Sequence, residues 1–380
     1  MDASLSQVVE LSGRSGASIR RHRCAKVGSV ETTPSEGGPE MECTTYGVDI
    51  AKSVMQVYWV DGDTGEIGQR TVKRSQLSAF FAKRPVGRVV MEACGSGHYW
   101  ARTLAELGHE VRLVHARHVT PYVRGNKNDL SDAQAIWSAA HAPGLRWVPL
   151  KSAEQQAVLS LHRARAQWVK VRTQTVNALR GLLYEFGVVL PGGRQAGIKA
   201  IRGHRAEIDE QLPVPMRELI DGQLQMLAVI EQRIEVLEGQ LAGLESQMAS
   251  AQRVRQIPGV GLLGATALAA LLGEDGQGYR NGREFAACLG LVPRHTGTGG
   301  TVRIGRLSKR GDPYIRTLLM HGARSVIFHA NHRSAWLERL LARRPFNVVV
   351  AALANKMART AWALVAHGRD YQAGGFAKAT

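Results

Sequence analysis

The amino-acid sequence predicts an α/β domain followed by an all-α remainder. Three observations carry that expectation. Short apolar runs between Tyr46 and Val72 have the character of strands, and those from Val89 to Val114 alternate with helix-like stretches. Beyond residue 150, apolar residues recur at intervals of three and four. The last third combines helical periodicity with a high density of arginine and lysine.

Taken in order, residues 1–42 are polar, lack an apolar period and read as a disordered tail, with Met41 as a candidate initiator. Residues 43–150 form the α/β unit. Val48 and Ile50, then Val54, Val57 and Trp59, predict two strands of a hairpin, followed by a turn at Asp61-Gly62-Asp63. Gly65 to Val72 supplies a third strand and residues 75–83 a short helix. The apolar run ending at Met91 suits a buried strand. A helix from Tyr99 to Leu107 closes at Gly108, Val111 to Val114 is a strand, and Asp129 to Ala140 is helical. Antiparallel strands first and alternation afterwards is the order of an RNase H-like sheet.

Residues 151–252 read as a helical linker. A long basic helix over 152–186 carries His162, Arg163, Arg165, Lys170, Arg172 and Arg180, and stops before Pro191-Gly192-Gly193. Its basic side is either an RNA-binding face or a solvated face packed on its neighbour. A second long helix carries Leu227, Ile230, Ile234, Leu237, Leu241 and Leu244, a coiled-coil seam. So narrow a seam needs a partner helix, either the first long helix or another copy of the chain. Residues 253–370 form a basic, mostly helical domain, and 371–380 a tail. Between Arg294 and Arg344 the only acids are Asp312 and Glu338.

The balance of 49 Lys and Arg against 32 Asp and Glu, a net charge of +17, makes nucleic acid the expected partner. No membrane association is expected: the longest apolar run, near Val348 to Ala354, is soon broken by Lys356 and Arg359, short of the roughly 20 residues a span needs. Cys24, Cys43, Cys94 and Cys288 are far apart with no CxxC, so neither zinc nor disulfides are expected and a reducing cytoplasm fits.

Against this basic background four acids stand out. Asp49 lies within an apolar strand, Glu92 closes another, and Asp129 and Asp132 open a helix three residues apart. Singly, each is an ordinary strand-end or first-turn acid. Together, carboxylates beside strand cores cost energy unless a cation neutralises them. Four on one edge of an RNase H-like sheet would hold two Mg2+ ions about 4 Å apart, with Mn2+ as the alternative hard cation.

These residues resemble the DEDD transposases of the insertion-sequence-110 family, on Gly47-Val48-Asp49-Ile50-Ala51-Lys52, Met91-Glu92-Ala93-Cys94-Gly95 and Lys127-Asn128-Asp129-Leu130-Ser131-Asp132-Ala133. Ile257-Pro258-Gly259-Val260-Gly261, Phe285 to Arg294, and Gly305 to Asp312 resemble that family's C-terminal transposase domain, with wording nearest the insertion-sequence-1111 subgroup. The resemblance runs from about residue 46 to 368. It implies a RuvC-like nuclease domain with Asp49, Glu92, Asp129 and Asp132 as metal ligands. It also implies a coiled coil joining protomers into a dimer or tetramer, and a C-terminal serine that holds DNA covalently. A structured non-coding bridge RNA would pair with both element-end and target DNA, and the setting would be the bacterial cytoplasm, at the nucleoid.

One position departs from the pattern. The family serine falls here on Thr298, within Thr296-Gly297-Thr298-Gly299-Gly300. A threonine hydroxyl can act as a nucleophile, although its methyl crowds in-line attack. Thr296, Ser308 or an inactive copy are the alternatives, and a Gly/Thr turn without chemistry is the bland reading. The Ile257–Gly261 stretch before an Ala/Leu helix resembles a helix-hairpin-helix element, in which Gly259 and Gly261 would offer backbone N–H groups to a phosphate. Arg294, Arg303, Arg306, Lys309 and Arg310 would grip phosphates nearby. The competing function is a metal-only, junction-resolvase-like nuclease in which water attacks and no protein hydroxyl is needed.

Overall fold

Alternation along β1 (Thr45–Ile50) sends Tyr46 and Val48 to one side of the strand and Gly47 and Asp49 to the other. In the computed structural model, which describes residues 43–123, 129–330 and 333–372, that alternation organises the whole first domain. For Asp129 and Leu130 the described part is the backbone. The expected tail over 1–42, and 373–380 of the expected C-terminal tail, lie outside the described residues.

β1 is followed by β2 (Val54–Val60), β3 (Ile67–Lys73), α1 (Leu77–Phe81), β4 (Arg88–Glu92), α2 (Gly97–Glu106), β5 (Glu110–Val114), α3 (Ala116–Val119), α4 (Asp129–Ala140) and β6 (Trp147–Val148). The six strands form one sheet in the order β3-β2-β1-β4-β5-β6. β1 to β3 pair antiparallel, β1-β4 and β4-β5 parallel, and β6 returns antiparallel. Tyr46, Val48, Val57, Val89 and Met91 face α1 and α2 and build a core with Phe81, Trp100 and Leu104. Val90 and Val114 face the other way and pack on Ala135, Ile136 and Ala139 of α4. The mixed α/β sheet expected from the sequence is what the chain forms.

The long helices are α5 (Ala153–Tyr184), opened by a Ser152/Gln155 capping box, and, after α6 (Arg194–Gly203) and α7 (Arg205–Glu210), α8 (Val214–Gln247). Val176, Leu179 and Leu183 of α5 pack with Ile220 and Leu227 of α8, and Val158 with Leu241. Early α5 therefore meets late α8, and the two run antiparallel. Of the two partners the narrow seam allowed, the first long helix of the same chain fills it.

The remaining helices are α9 (Ala249–Arg255), α10 (Leu262–Leu272), α11 (Gly282–Cys288), α12 (Pro313–His329), α13 (Ala335–Arg343) and α14 (Phe346–Ala366). Their core gathers Leu268, Phe285, Leu319 and Leu353 around α14. By length and composition α14, with 21 residues and a mean hydropathy of 1.3 over its most apolar window, could cross a membrane, which corrects the expectation drawn from uninterrupted runs. Half of that window is buried, and the domain core accounts for this apolar side.

The all-α expectation for this domain needs one further correction. β7 (Pro293–Thr298) and β8 (Thr301–Leu307) form a two-stranded ribbon, nearly all of it exposed. Thr298 pairs with Thr301 across Gly299 and Gly300, at φ 58° and 79°. Two positive-φ residues make the tight hairpin turn that matches strand twist, and glycine adopts it without steric cost. The strands escape sequence reading because neither face is buried, so nothing imposes an apolar alternation.

Candidate functional site

Val48 and Met91 are the last paired residues of the parallel strands β1 and β4, and Asp49 and Glu92 follow them by one position each. Neighbouring parallel strands lie about 4.8 Å apart and residues in register point the same way. The two carboxylates therefore share the α4 side of the sheet, at the C-terminal ends of their strands. Both are half-buried. At that spacing two negative charges repel by about 3.5 kcal/mol at an effective dielectric near 20, less what solvent screens. The Cys94 thiol registers the same field: burial first, then Glu92 and Asp49, push its pKa up.

The loop that holds Cys94 is tightly built. The Cys94 N–H donates to the Glu92 carbonyl at 2.8 Å, and Ser96 enters α2 with φ at 66°. A left-handed non-glycine residue costs of order 1 kcal/mol and is kept where its surroundings over-determine it. A Cβ on Gly97 would come 2.9 Å from the Glu92 carbonyl, so this glycine lets α2 start directly against the end of β4.

Gly47 brings in the third element. A Cβ there would stand 2.4 Å from the Ala133 carbonyl oxygen and 2.7 Å from the Trp137 nitrogen. The α4 backbone thus lies directly on β1, two residues before Asp49. Trp137 packs edge-on against Tyr58, the β2 partner of Gly47, with ring centroids 5.7 Å apart. Asp132 immediately precedes the turn that rests on Gly47 and is half-buried, while Asp129 opens the same helix with its side chain outside the described residues. Among the described residues no three His, Cys, Asp or Glu side chains stand together as a complete ligand set. The donors in place, two carboxylates on adjacent strand ends, are hard oxygens of one charge, which fit a divalent cation.

The second group of expected residues lies on the ribbon. Pairing puts Thr298 opposite Thr301 and Thr296 opposite Arg303, so these four side chains share one face. All four are exposed. Ser308 is 7 % exposed and its Oγ is buried without a hydrogen-bond partner, a poor position from which to attack a phosphodiester. Arg303, Arg306, Lys309 and Arg310 are exposed. The Arg294 guanidinium turns back and donates to the Ser308 carbonyl at 3.3 Å, closing the base of the ribbon. Gly259 has φ 82°, and its Cβ would come 2.5 Å from the Gly322 carbonyl, so its glycine is explained by packing on α12. Gly261 is the exposed residue before α10, whose first turn carries no acid and no side-chain cap. Its leading N–H groups suit a phosphate.

The basic side of α5 is largely spent inside the chain. His162 is buried, Arg165 pairs with Glu238, and Arg180 clamps the carbonyls of Leu190, Pro191 and Gly193. Arg163 and Lys170 remain exposed.

Comparison with known proteins finds two family matches along the chain. A DEDD IS110 transposase family matches residues 46–187, and the family described as Transposase IS116/IS110/IS902 matches residues 251–337. A probable family 20 transposase of Pseudomonas aeruginosa is 48% identical over 88% of this chain and all of its own length. The transposase for insertion sequence element IS1111A of Coxiella burnetii is 38% identical over 86% of this chain and 91% of its own. The transposase for IS1328 of Yersinia enterocolitica is 35% identical over 86% and 97%.

Proposed function

The chain belongs to the IS116/IS110/IS902 family of transposases, DNA-cleaving and rejoining enzymes, and on that premise we propose a division of labour between its two ends. The carboxylates Asp49, Glu92, Asp129 and Asp132 form the metal-holding half of the active site, with Mg2+ as the ion and Mn2+ as its substitute. Bound there, the metal would supply positive charge for the phosphodiester oxygens. The other half is the ribbon. The Thr298 hydroxyl attacks phosphorus, giving up its proton to a carboxylate. The P–O bond to the departing strand breaks, and that oxygen takes up a proton and leaves as a strand-end hydroxyl. The product is a phosphothreonine ester, and the reverse displacement by a new strand-end hydroxyl rejoins DNA and frees Thr298. Arg303, on the same face, neutralises the phosphate as it is attacked.

The observation that carries this reading is the adjacency of Asp49 and Glu92 at neighbouring parallel strand ends, α4 lying on the same side of the sheet. Element-end and target DNA are the substrates, selected by a bridge RNA. The Gly261 end of α10 and the arginines of the ribbon position their backbones. The working unit is a homo-oligomer with composite sites in the bacterial cytoplasm. α8 supports that assembly with an outward stripe, Leu219, Met226, Val229 and Val236, each at least 40 % exposed and spaced seven, three and seven.

The test is a trap for covalent protein–DNA adducts with element-end DNA, the flanking RNA and Mg2+. An adduct lost in both Thr298→Ala and Asp49→Ala supports the proposal. Metal-dependent nicking with no adduct at any stage replaces it with the metal-only nuclease.

A further inference from the structure

Beside the ribbon the C-terminal domain holds an open cleft of about 2020 Å3. One wall is β8 and the loop after it, from Ile304 to Lys309, and the other is α14. Along α14 the cleft is lined by Val348, Ala352, Lys356, Arg359, Ala363 and His367, spaced four, four, three, four and four, one continuous helix face. The opposite face, with Val350, Leu353, Ala354, Met357 and Ala361, is in the core. α14 therefore has one side that the core explains and one that lines the cleft.

The charge on the cleft is one-sided. Arg283, Arg306, Lys309, Lys356, Arg359 and Arg369 line it, against one carboxylate among the described residues, Asp370, whose Oδ1 accepts from Gln256 at 3.1 Å. Among the described residues, Arg283, Arg306, Lys309, Arg359 and Arg369 make no ion pair. Lys356 lies over the Trp336 ring at 4.4 Å. Five cations without an ion pair, gathered in a cleft whose described lining holds one carboxylate, repel one another, and a polyanion relieves that cost. Ala352 and Ala363 leave the α14 backbone open to close approach. Ile304 and Val348, 71 % and 51 % exposed, offer apolar surface on the two walls. From Val348 to His367 the helix rises about 28 Å, which spans roughly eight phosphates of one strand at duplex spacing.

We propose that this cleft is a DNA-binding track. It holds one DNA strand by its phosphodiester backbone, through Lys356 and Arg359 of α14, Arg283, Arg369, and Arg306 and Lys309 of the opposite wall. DNA is the occupant because the wall that bears Arg306 is the ribbon that bears Thr298, and the strand attacked there must run along it. The inference rests on the function proposed above in naming DNA as the occupant. The cleft chemistry stands apart from cleavage.

The full-length chain is titrated into a fluorescein-labelled DNA duplex of about 30 base pairs in EDTA, following anisotropy between low salt and about 0.2 M salt. The same sequence as RNA is run in parallel. K356A/R359A is compared with K199A/R202A, which removes the same charge from exposed positions on α6. For the cleft pair the expected result is DNA affinity about 10- to 100-fold weaker at physiological salt and a salt slope reduced by about 2. The α6 pair is expected to stay within about twofold of wild type for want of phosphate contacts. Equal losses in the two pairs, or a cleft loss confined to RNA, overturns the proposal. Should K356A/R359A melt early, R369A, beyond the end of α14, is expected to lower the slope by about 1, and an unchanged slope there overturns it equally. Because binding is read without metal, a missing Thr298 adduct leaves this result standing, and failure here leaves the Thr298 reading standing.

Discussion

Asp49 and Glu92 stand one position beyond Val48 and Met91, the last rung that joins two parallel strands, and so project side by side from neighbouring strand ends. Such a pair stores repulsion that a cation releases. Asp49→Asn and Glu92→Gln keep shape and remove charge. Each is expected to lower strand cleavage by roughly 10³-fold, in the range lost when a single oxyanion-hole hydrogen-bond donor is removed, with a melting temperature equal to or above wild type. Cys94 gives a second readout. Its thiol pKa is held up partly by these two acids, so either variant should speed alkylation of Cys94 at mildly alkaline pH, followed by peptide mass mapping. Unchanged alkylation in both variants would separate the carboxylates from that loop and sink the geometry.

Gly47 is the point at which α4 is seated on the sheet. Gly47→Ala puts a methyl 2.4 Å from the Ala133 carbonyl, and the helix carrying Asp129 and Asp132 must back away. Overpacking of this kind costs about 1–3 kcal/mol, and cleavage should fall with it. Gly95→Ala, whose new methyl meets nothing within 4 Å, is the stability control. Chemical denaturation of the two variants checks the claim, and equal midpoints would refute it.

How much of this could be read beforehand follows the physics of burial. The sheet, α4 and the long helices are legible because one face of each is buried and imposes a period; for α4 the expected and observed bounds coincide, Asp129 to Ala140. Asp49 and Glu92 were conspicuous because charge beside a strand core needs a reason. The β7–β8 ribbon was missed because Arg303, Ile304 and Thr298 are all exposed, so no alternation is enforced. The local motif offers the Gly259 N–H to a phosphate, while the reason this residue is glycine, its approach to the Gly322 carbonyl, is long-range and invisible in that motif. The cleft residues escaped for another reason. Lys356 and Arg359 read as interruptions of an apolar run, and their partners Arg283 and Arg306 come from distant segments. The legible signal was their spacing with Ala352 and Ala363 on one side of α14.

Thr298 occupies the last position of β7, paired with Thr301 across a two-glycine turn and on the face of Arg303. Removing its methyl should ease in-line approach while keeping the nucleophile. Thr298→Ser is therefore expected to form the covalent adduct at least as fast as wild type, and Thr298→Ala to form none. Arg303→Ala should slow adduct formation roughly 10²-fold, because the attacked phosphate loses its neighbouring charge. Denaturing gels of radiolabelled DNA would measure all three. A wild-type level of adduct in Thr298→Ala would transfer the role to Thr296, which shares the exposed face, and not to the buried Ser308.

His162 ties α5 to the C-terminal domain. Its Nε2 contacts the Thr266 hydroxyl at 3.0 Å, and that hydroxyl itself donates to the Leu262 carbonyl at 2.8 Å, so Nε2 carries the proton. Nδ1 then accepts from the Tyr314 hydroxyl at 3.0 Å. Burial chiefly, helped by Arg165 and only partly opposed by Asp312, lowers its pKa to about 4. The unfolded chain, with its histidine near 6.5, binds the proton more readily, so protonation favours unfolding. The stabilisation is complete above about pH 6.5 and disappears as pH falls toward 4, a total of about 3 kcal/mol. His98, also lowered to about 4 by burial and Lys151, acts in the same direction. The His162 share is therefore read as a difference. In His162→Phe, which keeps the volume and cannot titrate, denaturation at pH 7.5 should show a loss of about 1–3 kcal/mol from the unmatched hydroxyls. That gap to wild type should close as pH is lowered to about 4.5, because only wild type loses stability through this group. A gap that stays constant across the range would mean that His162 takes up its proton equally readily in the folded and unfolded chains, and that burial beside Tyr314 and Thr266 does not hold it neutral.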